Sequence, residues 1–148
     1  SAAAISHAWY GYMAAQIVLN TPLLFSNTPV SKYFILGSSG TKNAIDKHHI
    51  FPKNYLTGIG FSSDRDRNQI ANFTYLDYAT NIEISDKAPK DYVAYYRQKL
   101  GEEAYQKACE DHALPTNFEN MEYMEFLNQR RVLMAQTVRK AYDCLCKL

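Results

Sequence analysis

The run Asp46-Lys47-His48-His49-Ile50-Phe51-Pro52 gathers two of the chain's four histidines side by side, with a carboxylate two residues upstream of the first. An imidazole with an ordinary pKa of about 6.5 is available near pH 7 both as a neutral metal ligand and as a general base. One histidine on a metal ion, with its neighbour taking a proton from water, is a compact hydrolytic site. The plain alternative is a surface pair, or a core pair whose ring nitrogens are each hydrogen-bonded.

A second segment adds to the first. Asn72-Phe73-Thr74-Tyr75-Leu76 is followed by Asn81, nine positions after Asn72, and then by Ser85-Asp86-Lys87-Ala88-Pro89. A His-His-Ile-x-Pro motif, an Asn before a short strand and an Asn in the helix after it resemble the HNH (His-Me finger, ββα-metal) endonucleases. The first motif has the form found in the HNH domains of CRISPR effector nucleases and related restriction enzymes. Asp-Lys-His-His-Ile-Phe-Pro-Lys, with a long C-terminal helix bearing Phe126-Leu127-Asn128-Gln129-Arg130-Arg131, is similar to the C-terminal nuclease part of GmrSD-like restriction proteins. The specific motifs span about residues 42–91, and the flanking helices match in pattern only.

The resemblance implies a role for each residue. His49 would be the general base that deprotonates the attacking water. His48 would be a metal ligand, and Asn81 a second one through its side-chain oxygen. Asn72 would tie the loop together and orient the catalytic histidine. Asp46 stands where a further carboxylate can approach the metal, or where it caps or pairs with Lys42 or Lys47. Ligands of this kind, rich in oxygen with one imidazole, suit a single Mg²⁺ or Mn²⁺ that retains waters. The paired Cys-x-x-Cys motifs that hold a structural zinc in many HNH proteins do not occur here, so no structural zinc is expected.

Phosphodiester hydrolysis needs a nucleophile made at neutral pH and relief of the charge that builds on the phosphoryl and leaving oxygens. A placed general base contributes roughly 10²–10⁴-fold, and a divalent ion stabilises the developing charge. Lys53, Lys87 and Arg67 are candidate phosphate contacts, although Asp64-Arg65-Asp66-Arg67 alternates in sign as solvated faces do. The formal charge of the whole chain is only +1, which argues against tight nucleic-acid binding on electrostatics alone. In GmrSD-like proteins an N-terminal ParB-like nucleotide-hydrolysing domain supplies recognition, and the resemblance implies such a partner domain here.

These residues need elements to hold them. Apolar spacing predicts a helix over 4–19, and Thr28-Pro29 opens a short helix reaching Leu36, closed by Gly37. Residues 44–51 read as a short strand ending at Pro52, where a helix starts. Ser63 caps a short helix to Ile70, and Phe73–Leu76 reads as a second strand. Helices follow over 89–100 and 102–112, then from about Asn117 to the end. On that last helix Met124, Leu127, Arg131, Met134, Val138, Ala141 and Leu145 form one stripe. Its single cation either meets buried carbonyls or a carboxylate, or reaches a phosphate. Tyr92, Tyr95 and Tyr96 read as packing residues, and so does His112 beside Cys109.

The 148 residues suit one α+β domain, mostly helical, with the ββα-metal unit at 42–91 between flanking helices 4–36 and 92–148. Ser1-Ala2-Ala3-Ala4 suggests a piece of a longer protein. Three cysteines, with Cys144 and Cys146 two apart on a helix, make no disulfide framework and suggest a reduced, cytoplasmic setting. No apolar run is long enough to cross a bilayer, and no membrane partner is expected. The reading is a metal-dependent DNA endonuclease of a bacterial restriction or phage-defence protein. A catalytically inert HNH-like binding or assembly module is the alternative, and an RNase on the same site reads identically.

Overall fold

A computed structural model describes residues 7–34 and 46–148, apart from the side chains of Tyr33 and Asp46. The fold is α+β and mostly helical, with one small antiparallel sheet. In chain order the elements are α1 (His7–Val18), a 3-10 turn (Val30–Phe34), β1 (Asp46–His49), α2 (Lys53–Gly58) and α3 (Asp64–Arg67). A second 3-10 turn (Ile70–Asn72) leads into β2 (Phe73–Leu76), followed by α4 (Tyr78–Ile84), α5 (Pro89–Leu100) and α6 (Glu102–Asp111). A third 3-10 turn (Phe118–Asn120) precedes α7 (Tyr123–Cys146). Among the described residues no helix is long and apolar enough to cross a membrane.

Local chemistry sets most of these boundaries. The Ser63 hydroxyl accepts from the Asp66 N–H and caps α3, and Asp77 accepts from the Thr80 N–H and caps α4. The segment expected as one helix to Ile70 is two short pieces, because the helix stops at Asn68 and re-forms as a 3-10 turn. The final helix starts six residues later than expected, since Asn117 takes a left-handed conformation (φ 56°) and interrupts it. The helix expected after Pro29 is a 3-10 turn starting at Val30, and residues 35–36 lie outside the described residues, as do 4–6, 44–45 and the loop over 37–40.

Strands β1 and β2 pair antiparallel in the register Asp46↔Leu76, Lys47↔Tyr75, His48↔Thr74 and His49↔Phe73. Around this ribbon α1 packs on α7 and α5 on α6. The core is strongly aromatic: Phe51 contacts Phe126, Tyr123 and Phe118, while Phe25 stacks on Tyr96 at 4.3 Å.

The cation inside this core is Arg130, not Arg131. Arg130 is fully buried and donates to the carbonyls of Ala71 (2.8 Å) and Phe73 (2.6 Å) and, through two nitrogens, to that of His112 (3.1 and 3.3 Å). Arg131 is exposed and bonds Gln69 and Asn128. The buried stripe on α7 runs through Tyr123, Phe126, Leu127, Arg130, Met134 and Ala141, which leaves Met124, Val138 and Leu145 exposed. His112 is part of the same node. Its Nε2 lies 2.7 Å from the Pro22 carbonyl, which can only accept, so Nδ1 takes the Thr74 hydroxyl proton at 2.9 Å. Burial lowers its pKa to about 4.

Two outcomes follow. Arg130→Met, which strips the partner from three buried carbonyls, should cost about 2–4 kcal/mol in urea denaturation, whereas Arg131→Met should stay within about 0.5 kcal/mol. His112 is neutral when folded and binds a proton more readily when unfolded. Stability is therefore complete above about pH 6.5 and falls as pH drops toward 4, by about 3 kcal/mol for this one group. His112→Gln should flatten that acid limb in a pH series of unfolding midpoints.

Candidate functional site

The β1–β2–α4 segment carries the residues singled out by the sequence. His48 and His49 occupy the last two positions of β1, and Asn81 lies in the middle of α4. All three line one cleft of about 470 Å³, together with Lys47, Lys53 and Asp86. A larger groove, about 670 Å³, lies between the end of α6 and α7, but no histidine lines it.

His48 is 6% exposed, and its Nδ1 stands 3.0 Å from Asn81 Oδ1. Burial lowers its pKa to about 4, with Asn81 opposing that shift and the neighbouring His49 adding to it. The ring is therefore already neutral at pH 7, the state a metal ligand requires. Its Nε2 is buried with no hydrogen-bond partner, and the Tyr92 ring stands edge-on 6.5 Å away. The imidazole is thus held by hydrogen bonding on one edge only.

His49 is half-buried. Its Nε2 meets Asn68 Oδ1 at 2.8 Å, and its ring packs edge-on against Phe73 at 4.7 Å. Burial pushes its pKa below the ordinary imidazole value. Asn68 pulls it back, and Lys53, Lys47 and Arg67 push it further down. Both rings are held below the ordinary imidazole pKa, the buried His48 facing the Asn81 amide oxygen and the half-buried His49 facing that of Asn68.

Asn72 is fully buried and all its amide groups are used. Its Oδ1 accepts from the Phe51 N–H (2.8 Å), while Nδ2 donates to the carbonyls of Phe51 (3.1 Å) and Arg67 (3.2 Å). The Ile50 N–H adds a bond to the Asn72 carbonyl (2.8 Å), and the Tyr92 hydroxyl donates to the Ile50 carbonyl (2.7 Å). The chain leaving His49 is therefore fixed from two sides before Pro52 turns it into α2.

The remaining candidates are placed less directly. Asp46 opens β1 opposite Leu76, and its side chain lies outside the described residues. Lys53 lines the cleft and forms an exposed pair with Asp64 at 3.6 Å, a contact weak enough to yield to an anion. Arg67 is committed to Asp64 (2.9 Å) and the Thr57 hydroxyl (2.8 Å). Lys87 donates to the Glu83 carbonyl just past α4. Residues with no motif of their own complete the site. Asn68 holds His49, and Glu83 on α4 accepts from the Tyr95 and Tyr96 hydroxyls of α5. Asn54 donates at 2.7 Å to Asp86, which lines the cleft next to Ser85, whose φ of 50° is strained for a residue with a side chain. From sequence the Ser63-capped helix runs on to Ile70, and Asn68 has no assigned role.

Comparison with protein-family models, curated proteins and solved structures finds no match. Among the described residues no three His, Cys, Asp or Glu side chains gather as a metal cluster, so any ion here would rest on a His–Asn pair with water and the unplaced Asp46. Asn81 Oδ1 can only accept, so His48 Nδ1 carries the hydrogen in their 3.0 Å contact; the pair would hold an ion there only with that hydrogen moved to the unpartnered Nε2.

Framework and function should separate on substitution. Asn72→Ala leaves the Phe51 N–H and carbonyl without their Asn72 partners in the core, removes the bond to the Arg67 carbonyl, and should cost about 3 kcal/mol. Asn81→Ala, at a half-buried position, should cost about 1 kcal/mol, both read from urea unfolding midpoints.

Proposed function

We propose that the chain is a metal-dependent endonuclease of the HNH type that hydrolyses phosphodiester bonds in DNA, the nuclease part of a restriction or phage-defence protein. The observation that carries this reading is the strand–strand–helix arrangement that sets His48 3.0 Å from Asn81, with His49 beside them in the same cleft. The resemblance of the His-His-Ile-x-Pro and Asn motifs to HNH nucleases supports it from a separate direction.

Each residue has a task in this reading. His49, neutral at pH 7, accepts the proton of the attacking water, and the hydroxide equivalent attacks phosphorus in line with the departing 3′ oxygen. His48 and Asn81 would hold a Mg²⁺ or Mn²⁺ ion, with Asp46 available at the start of the strand. When bound, that ion supplies stabilisation of the charge on the phosphoryl and leaving oxygens. Asn72 does no chemistry, and it fixes the backbone that presents His49. Lys53 supplies a cation at the cleft wall for a flanking phosphate. The near-neutral charge of the chain leaves tight DNA capture to another part of the protein, such as an N-terminal ParB-like nucleotide-hydrolysing domain.

Supercoiled-plasmid cleavage tests this. Nicking with Mg²⁺ or Mn²⁺ that EDTA abolishes, and that His49→Ala at matched folding reduces about 10²–10⁴-fold, is the expected result. Equal cleavage by both proteins would contradict the role of His49. No cleavage by either, repeated when the same assay is run on the protein joined to its N-terminal domain, would assign the chain to an inert binding or assembly module of the same shape.

A further inference from the structure

We infer that Asn68 is a positioning residue that locks His49 in one tautomer, with the proton on Nε2 and the lone pair on Nδ1. The inference rests on the nuclease reading for its purpose and on geometry for its content. A carbonyl oxygen can only accept a hydrogen bond. Asn68 Oδ1 lies 2.8 Å from His49 Nε2, so the ring nitrogen in that contact must carry the hydrogen, and Nδ1 is left as the basic atom.

Asn68 is itself held in place. It ends α3 with its N–H on the Asp64 carbonyl at 2.9 Å. The carbonyl just before it, that of Arg67, is bound by the Asn72 amide, and the Tyr123 hydroxyl binds the Asp66 carbonyl one residue earlier. On its other side the Gln69 side chain is fixed between the Arg65 carbonyl and Arg131. A short turn clamped before and after one residue directs a side chain more tightly than a free loop does. The Phe73 ring, 4.7 Å from the imidazole, sets the ring plane. Together these fix which nitrogen faces a proton donor, a task that in other hydrolytic sites falls to a carboxylate or carbonyl behind the histidine. An amide performs it here without adding a negative charge.

Long-range ¹H–¹⁵N spectra of imidazole-labelled protein above pH 7.5 read the tautomer directly, with His49 assigned through His49→Gln. The wild type should show one Nε2–H form. Asn68→Ala should release His49 into a mixture and lower kcat about 10–100-fold, while Mn²⁺ affinity, read by electron paramagnetic resonance, stays unchanged. Asn68→Asp, which keeps an acceptor oxygen, should restore the Nε2–H form. An Nδ1–H form in the wild type would overturn the inference, as would an unaltered tautomer in Asn68→Ala or a parallel collapse of Mn²⁺ affinity. A locked tautomer in a wild-type chain that cleaves nothing would support the positioning role and count against the nuclease reading alone.

Discussion

A guanidinium with no access to water must be surrounded by acceptors, and Arg130 finds them in the backbone. Its bonds to the carbonyls of Ala71 and Phe73 bracket Asn72 on both sides, and its bonds to the His112 carbonyl fasten the end of α6 to the same point. Leaving a buried cation without partners costs far more than an ordinary hydrogen bond contributes, so the surrounding segments are obliged to keep this geometry. The consequence reaches the cleft in two steps. With its backbone held, Asn72 can direct its amide at Phe51 and Arg67, and those contacts fix the exit from β1 and the turn that carries Asn68. His48 and His49 are thereby presented from a strand whose end cannot drift.

Polarity in the cleft is arranged with few formal charges. Burial, with the neighbouring His49, lowers the His48 pKa to about 4, and burial with nearby cations lowers that of His49. That combination suits a ligand and a base better than a pair of protonated rings would. The cations near the cleft are mostly engaged, Arg67 with Asp64 and Thr57 and Lys87 with a carbonyl. The exposed Lys53–Asp64 pair, at 3.6 Å, is a contact of modest strength.

The motif residues were legible because their types are unusual and their spacing is short. Adjacent histidines before Ile-x-Pro, and two asparagines around a four-residue strand, leave few structural options, and both strands lie where the sequence placed them. Arg130 was misread as Arg131 because one residue rotates a helix by about 100°, and α7 carries apolar residues on both candidate faces. Met124, Val138 and Leu145 completed an equally regular stripe that turned out to be exposed. Asn68 and Glu83 had no periodicity to announce them. Their partners lie 19 residues away on β1 and 12 or 13 away on α5, and only the fold brings them together. The late start of α7 depends on the left-handed Asn117, a conformation that asparagine tolerates without requiring it.

On the nuclease reading, His48 and Asn81 are a ligand pair and not merely hydrogen-bonded neighbours. Anomalous diffraction from crystals of this chain soaked in Mn²⁺ addresses it without depending on substrate, activity or a second domain. A ligand pair gives a single manganese peak in the cleft within about 2.3 Å of a His48 ring nitrogen and of the Asn81 oxygen. A cleft with no such peak at saturating Mn²⁺, with the His48–Asn81 hydrogen bond intact, would contradict it.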